Sequence, residues 1–125
     1  MTSLETTLPT AREAGVVYTK PWVVELVLDL AGYVPDRRLA ELVALEPSAG
    51  DGAFLSAMVR RLVESCEQHG IPLTEAGRAI QAFEIDPEAA EKAVGVVCET
   101  LKQLRVPAAT AACTKLSIWS FGAST

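Results

Sequence analysis

The sequence predicts an α/β fold in which short parallel strands alternate with amphipathic helices. Three observations predict it. Residues 43–45 are an apolar run that enters a pair of closely spaced glycines, Gly50 and Gly52. From Ala53 onward the apolar positions Leu55, Val59, Leu62, Val63 and Cys66 recur at helical spacing. Residues 79–87 then form a second apolar run that ends in acids and leads straight into another helical pattern.

Taken in order, residues 1–13 are a polar tail. Residues 15–31 hold a turn and an amphipathic helix to about Ala31, with Thr19 placed as an N-cap and Pro21 in the first turn. Residues 32–36 are a connector. A strand from about Leu42, read as the buried end of a parallel strand, leads through the glycine turn into a helix that ends at His69. There the helix dipole favours a cation and Gly70 supplies the C-cap, so His69 is explained by helix termination rather than catalysis. Residues 70–77, with Pro72 and Gly77, read as a surface crossover without function. After the second strand, Asp86-Pro87 caps a helix through about Leu104, with Glu88 and Glu91 early and Lys102 and Arg105 late. Residues 115–121 are a third candidate strand of mixed pattern. Residues 108–112 are locally alanine-biased, and no internal repeat is visible.

The glycine junction points to a ligand. Gly50 and Gly52 let backbone approach where a Cβ would collide, and free N–H groups at a helix start favour a carboxylate or phosphate. A tight turn alone would also explain the two glycines. The second strand adds Glu84, because in a strand-helix-strand crossover an acid at that tip lies beside the first glycine turn and can accept both hydroxyls of a ribose. A nucleoside-bearing ligand follows. The nicotinamide and flavin fingerprint is disfavoured, since it wants a third small residue where this chain has Leu55.

Glu46-Pro47-Ser48-Ala49-Gly50-Asp51-Gly52-Ala53-Phe54 resembles the first motif of the S-adenosylmethionine-dependent DNA methyltransferases that modify an exocyclic amino group, usually of adenine, in restriction-modification and phage-defence systems. The resemblance implies that Glu46, Pro47, Ser48, Ala49, Gly50, Gly52 and Phe54 cradle the methionine end of S-adenosylmethionine. Glu84-Ile85-Asp86 is similar to the second motif, which implies that Glu84 holds the ribose and Ile85 covers the adenine ring. Gly15-Val16-Val17-Tyr18-Thr19-Lys20-Pro21-Trp22-Val23-Val24 resembles the permuted motif, implying that Tyr18 and Thr19 join the cofactor site and that Thr19 helps bind its carboxylate. A plain helix start would account for the same turn without a ligand.

The resemblance spans about Ala14 to Leu104. It implies a partial Rossmann-like methyltransferase fold over residues 14–125, comprising the first strands and helices of a parallel sheet. The family's catalytic tetrapeptide, an Asn or Asp followed by Pro-Pro and an aromatic, is absent from the 125 residues, so no catalytic residue is assigned. The chain is therefore expected to be the cofactor-binding front of a longer enzyme, inactive by itself, with methyltransferase and target-recognition segments supplied in cis or in trans and DNA as the substrate of the whole. Two other readings stay open: a noncatalytic adenosine-ligand binding or assembly subunit, and an inactive truncated remnant.

Composition fits one domain at most. Half of the residues are hydrophobic and mean hydropathy is positive, at +0.25, as an incomplete sheet would show. No apolar run approaches a membrane span, because residues 23–30 are broken by Glu25 and Asp29. No membrane partner and no secretory leader are expected. A net charge of −5 argues against a DNA-gripping surface, which would need Lys and Arg. Cys66, Cys98 and Cys113 are isolated and lack metal-ligand spacing; two fall on apolar helix faces, which predicts buried thiols, no metal site and a reducing cytoplasm. Other site-adjacent residues have plain readings: Asp86 as a helix N-cap, Phe54 packing the turn, Trp22 and Trp119 in the core, and Glu46 and Asp51 either as solvated turn acids or as ligand-side groups.

Overall fold

The computed structural model describes residues 19–46, 50, 52–113 and 117–120. Its centre is a three-stranded parallel sheet of β1 (Ala44–Glu46), β2 (Ile80–Glu84) and β3 (Ser117–Ser120), in the order β1-β2-β3. Ala44 pairs in register with Ile80 and Glu46 with Ala82, while Ala82 also pairs with Ile118. Among the described residues four helices accompany it: α1 (Pro21–Leu30), α2 (Ala53–His69), α3 (Pro87–Gln103) and α4 (Ala108–Cys113). Both crossovers carry a long helix, α2 and α3, and the two helices pack together; with the strands in sequential order, the right-handed rule for parallel crossovers puts both on one face of the sheet.

The core lies between that face and its helices. Ile80 and Ala82 of β2 belong to it, with Leu55, Val59 and Leu62 of α2 and Ala93 and Val97 of α3; Glu84 is buried on the same side of the strand, at its tip. All five apolar positions expected of α2 are buried. The prediction of a buried first strand is corrected. Strand β1 is parallel, but Val43 and Leu45 are 59% and 62% exposed. Leu45 pairs with Gln81 and so belongs to the other face of the sheet. Parallel strands read as continuous apolar runs because both faces are normally covered, and among the described residues only one is.

Helix α1 packs on α2 through Val24 and Leu28, leaving Trp22, Leu26, Val27 and Leu30 exposed. Trp22, at 66% exposure, is therefore not a core residue. The helix is capped at Lys20 without a side-chain hydrogen bond, so Thr19 is not its N-cap. Arg61 of α2 fastens α1 instead, donating to Asp29 Oδ1 at 2.7 Å and to Glu25 Oε1 at 2.6 Å. Burial opposes the guanidinium's charge, but its bonds to Glu25 and Asp29 outweigh that penalty and hold its pKa above the ordinary value.

At the far end of α2, Gly70 takes the left-handed conformation and its N–H closes on the Cys66 carbonyl, as the sequence predicts. His69 Nε2 lies 2.9 Å from the Asp36 carbonyl oxygen. Buried Ser65 accepts from the Leu39 N–H and donates to the Arg37 carbonyl, pinning the connector that precedes β1. The crossover expected to be pure surface contains a 3-10 turn (Leu73–Ala76) whose Ala76 is fully buried in the core. Asp86 caps α3, its side chain accepting from the Glu88 N–H at 3.1 Å. Cys66 is buried, but Cys98 is exposed, so the expectation of two buried thiols holds for only one. For Cys113 and Trp119 only the backbone is described, so the readings of their side chains lie outside the description. Among the described residues no helix is long and apolar enough to cross a membrane.

Candidate functional site

The carboxyl ends of β1 and β2 bring the two predicted motifs together. Glu46 ends β1 half-buried, and Gly50 and Gly52 follow with positive φ of 52° and 84°. Glu84 is the last residue of β2 and only 8% exposed. The Gly50 N–H donates to Glu84 Oε1 at 2.9 Å, and the Asp86 N–H donates to Oε2 at 3.1 Å. Each carboxylate oxygen thus takes one backbone donor and keeps a further lone pair for a hydroxyl. The pairing spans 34 residues and joins the strand-tip acid directly to the glycine turn.

Ile85, next along, is 75% exposed, an apolar side chain presented beside a buried acid. Phe54 is half-buried and packs against the core, as its plain reading expects. Gly52 has a second reason to be glycine: a Cβ there would lie 3.0 Å from both γ carbons of Val96 on α3. The turn is therefore held so close to α3 that any Cβ at this position would require Val96 to give way.

Thr19, half-buried, precedes the Lys20 N-cap of α1. Pro21, Val24 and Glu25 of α1 face Ala53, Ser56, Ala57 and Arg60 of α2 across a cleft of about 320 Å³. The cleft is a seam between the two helices that reaches Pro21 in the first turn of α1 and Ala53, the first residue of α2. Tyr18, Pro47, Ser48 and Ala49 lie outside the described residues.

Sequence reasoning missed the groups that brace this end. Ser56 Oγ and Thr100 Oγ1 are 3.0 Å apart, and Thr100 Oγ1 donates to the Val96 carbonyl at 2.8 Å, tying α2 to α3 just behind the turn. Arg60 reaches Gln103 Oε1 at 2.6 Å. A Ser and a Thr on otherwise apolar helical stripes were the available signal.

The set fits an adenosine-bearing ligand: a buried carboxylate oriented by two backbone donors, an exposed aliphatic side chain beside it, and a glycine turn. Over 103 residues the chain is 44% identical to Type II methyltransferase M.XhoI of Xanthomonas vasicola, covering 79% of this chain and 19% of that protein. The chain is similar to type II methyltransferases. It is 44% identical over 82 residues to Type II methyltransferase M.BstVI of Geobacillus stearothermophilus (62% of this chain, 15% of that protein), and 36% identical over 102 residues to Type II methyltransferase M.PaeR7I of Pseudomonas aeruginosa (78% and 18%). The chain therefore spans less than a fifth of the length of the curated relatives it matches. No family model and no solved structure matches it.

Proposed function

We propose that residues 14–125 form the S-adenosylmethionine-binding part, Rossmann-like in fold, of an amino-type DNA methyltransferase, adenine-specific and belonging to a restriction-modification or phage-defence system. The observation that carries this reading is the Gly50 to Glu84 hydrogen bond, which joins a strand-tip acid to a glycine turn. The similarity to type II methyltransferases supports it.

In this reading Glu84 accepts the ribose hydroxyls and Ile85 covers the adenine face. The turn of Glu46, Pro47, Ser48, Ala49, Gly50 and Gly52, backed by Phe54, admits the methionine end at close range, and Tyr18 and Thr19 approach it from the start of α1. The bound cofactor would supply an electrophilic methyl group on sulfur. The exocyclic amine of adenine is a poor nucleophile, its lone pair delocalised into the ring, and has to be flipped from the duplex and held in line. The Asn- or Asp-Pro-Pro-aromatic tetrapeptide that does this in the resembled family is not among the 125 residues, so methyl transfer requires further sequence in cis or in trans. The same holds for DNA contact, because a segment of net charge −5 does not neutralise phosphates.

Calorimetric titration tests the reading. The chain is expected to bind S-adenosylmethionine in preference to NAD, and Glu84→Ala to weaken that binding by about 1–3 kcal/mol through loss of charge-assisted hydrogen bonds to the ribose. An affinity unchanged by Glu84→Ala would refute the ribose assignment.

A further inference from the structure

Helix α1 is held loosely by apolar contact and tightly by one polar group. Only Val24 and Leu28 of its residues are buried. Arg61, whose side chain is 11% exposed, grips the same helix at three points, Glu25 Oε1, the Glu25 carbonyl at 3.2 Å and Asp29 Oδ1, and the segment after it at a fourth, the Tyr33 carbonyl at 3.0 Å. Glu25 and Asp29 lie one turn apart on one face of α1, and Tyr33 follows its end, so the planar fork fixes both rotation and axial position of the helix. Arg61 itself lies roughly 12 Å along α2 from Ala53, at 1.5 Å rise per residue, too far to touch a ligand at the glycine turn.

We propose that Arg61 is a positioning residue for the amino-acid end of the cofactor: by clamping α1 it sets where Thr19 stands relative to the glycine turn and how wide the seam between Pro21 and Ala53 opens. The inference rests on the S-adenosylmethionine reading. Glu25 links the two ends of the device, since its carboxylate meets Arg61 while the residue also lines the cleft. The adenosine end is held independently, by Glu84 on β2, which Arg61 does not contact. Losing the clamp therefore affects one half of the ligand and spares the other.

The test titrates the 125-residue chain with two probes: S-adenosylhomocysteine, and 5′-methylthioadenosine, which keeps the nucleoside and lacks the amino acid. Binding of both by the unaltered chain tests the parent reading, and failure to bind either overturns that reading and this inference with it. Given binding, Arg61→Gln should weaken S-adenosylhomocysteine by about tenfold, the scale of one or two charge-assisted hydrogen bonds, and 5′-methylthioadenosine by less than about twofold. Arg61→Lys should restore only part of the loss, because a point charge cannot reproduce the fork. In a Thr19→Ala background the Arg61→Gln loss should shrink to less than about twofold, since the positioned group is gone. Equal losses for both probes, or none, would overturn the inference while leaving the parent reading intact. If Arg61→Gln does not fold, Asp29→Asn, which alters a carboxylate 60% exposed, is read by the same two-probe comparison.

Discussion

Helix α2 is flanked by Gly52 as its N-cap and Gly70 as its C-cap, both in the left-handed region with φ of 84° and 66°. A Cβ at Gly52 would meet Val96 at 3.0 Å, whereas one at Gly70 would meet nothing within 4 Å. The same residue type thus answers two requirements at the start of the helix and one at its end. At the start, the chain must both turn left-handed and lie against α3; at the end, it only has to turn. The surroundings diverge in the same way. The start is polar and open, with Gly50 exposed and Glu84 beside it. The end is closed, with Ser65, Cys66 and Tyr33 buried.

The two glycines give the largest expected effect. Gly52→Ala should cost about 2–5 kcal/mol, combining left-handed strain of about 1–2 with overpacking of about 1–3 against Val96. Gly70→Ala should cost only the strain, about 1–2 kcal/mol. Urea denaturation midpoints measure both, and Val96→Ala added to Gly52→Ala should recover the overpacking share. Equal costs at the two ends would break the comparison.

A smaller effect is expected from Tyr33, in the closed region. Its hydroxyl is buried with no hydrogen-bond partner among the described residues. Burial, with a further contribution from Cys66, raises its pKa well above the ordinary phenol range. A folded value above the unfolded one means that stability is full below about pH 10 and falls as pH rises beyond it, because only the unfolded chain can then release the proton. Tyr33→Phe should remove this alkaline loss and, at neutral pH, leave stability unchanged or raise it by up to about 1 kcal/mol. Denaturation at neutral pH and at about pH 11 checks both. A neutral-pH loss well beyond that would show that the hydroxyl has a partner in the folded chain.

The smallest effect concerns reactivity rather than stability. Burial raises the Cys66 thiol's pKa, with Glu67 and Glu75 adding to it, while Cys98 is exposed on α3. Iodoacetamide should therefore modify Cys98 at least about tenfold faster than Cys66, read by peptide mass mapping. Comparable rates would mean that the closed end of α2 opens often enough to expose its core.

Sequence alone located the glycine turn, the acid at the tip of the second strand, the buried stripe of α2, the Gly70 stop and the Asp86 cap. Each depends on residues within one or two turns of each other, where backbone stereochemistry and periodicity act directly. Only the tertiary structure decided that Val43, Leu45, Trp22 and Cys98 are exposed, that Ala76 is buried in a crossover, that α4 forms, and that Arg61 rather than a Thr19 cap secures α1. Exposure is a property of the layer that covers a residue, and a clamp is a property of two helices meeting. Neither the covering layer nor the partner helix is encoded in the local spacing of the residue concerned, so the pattern that correctly marked these stretches as strand or helix could not say which of their faces would be covered.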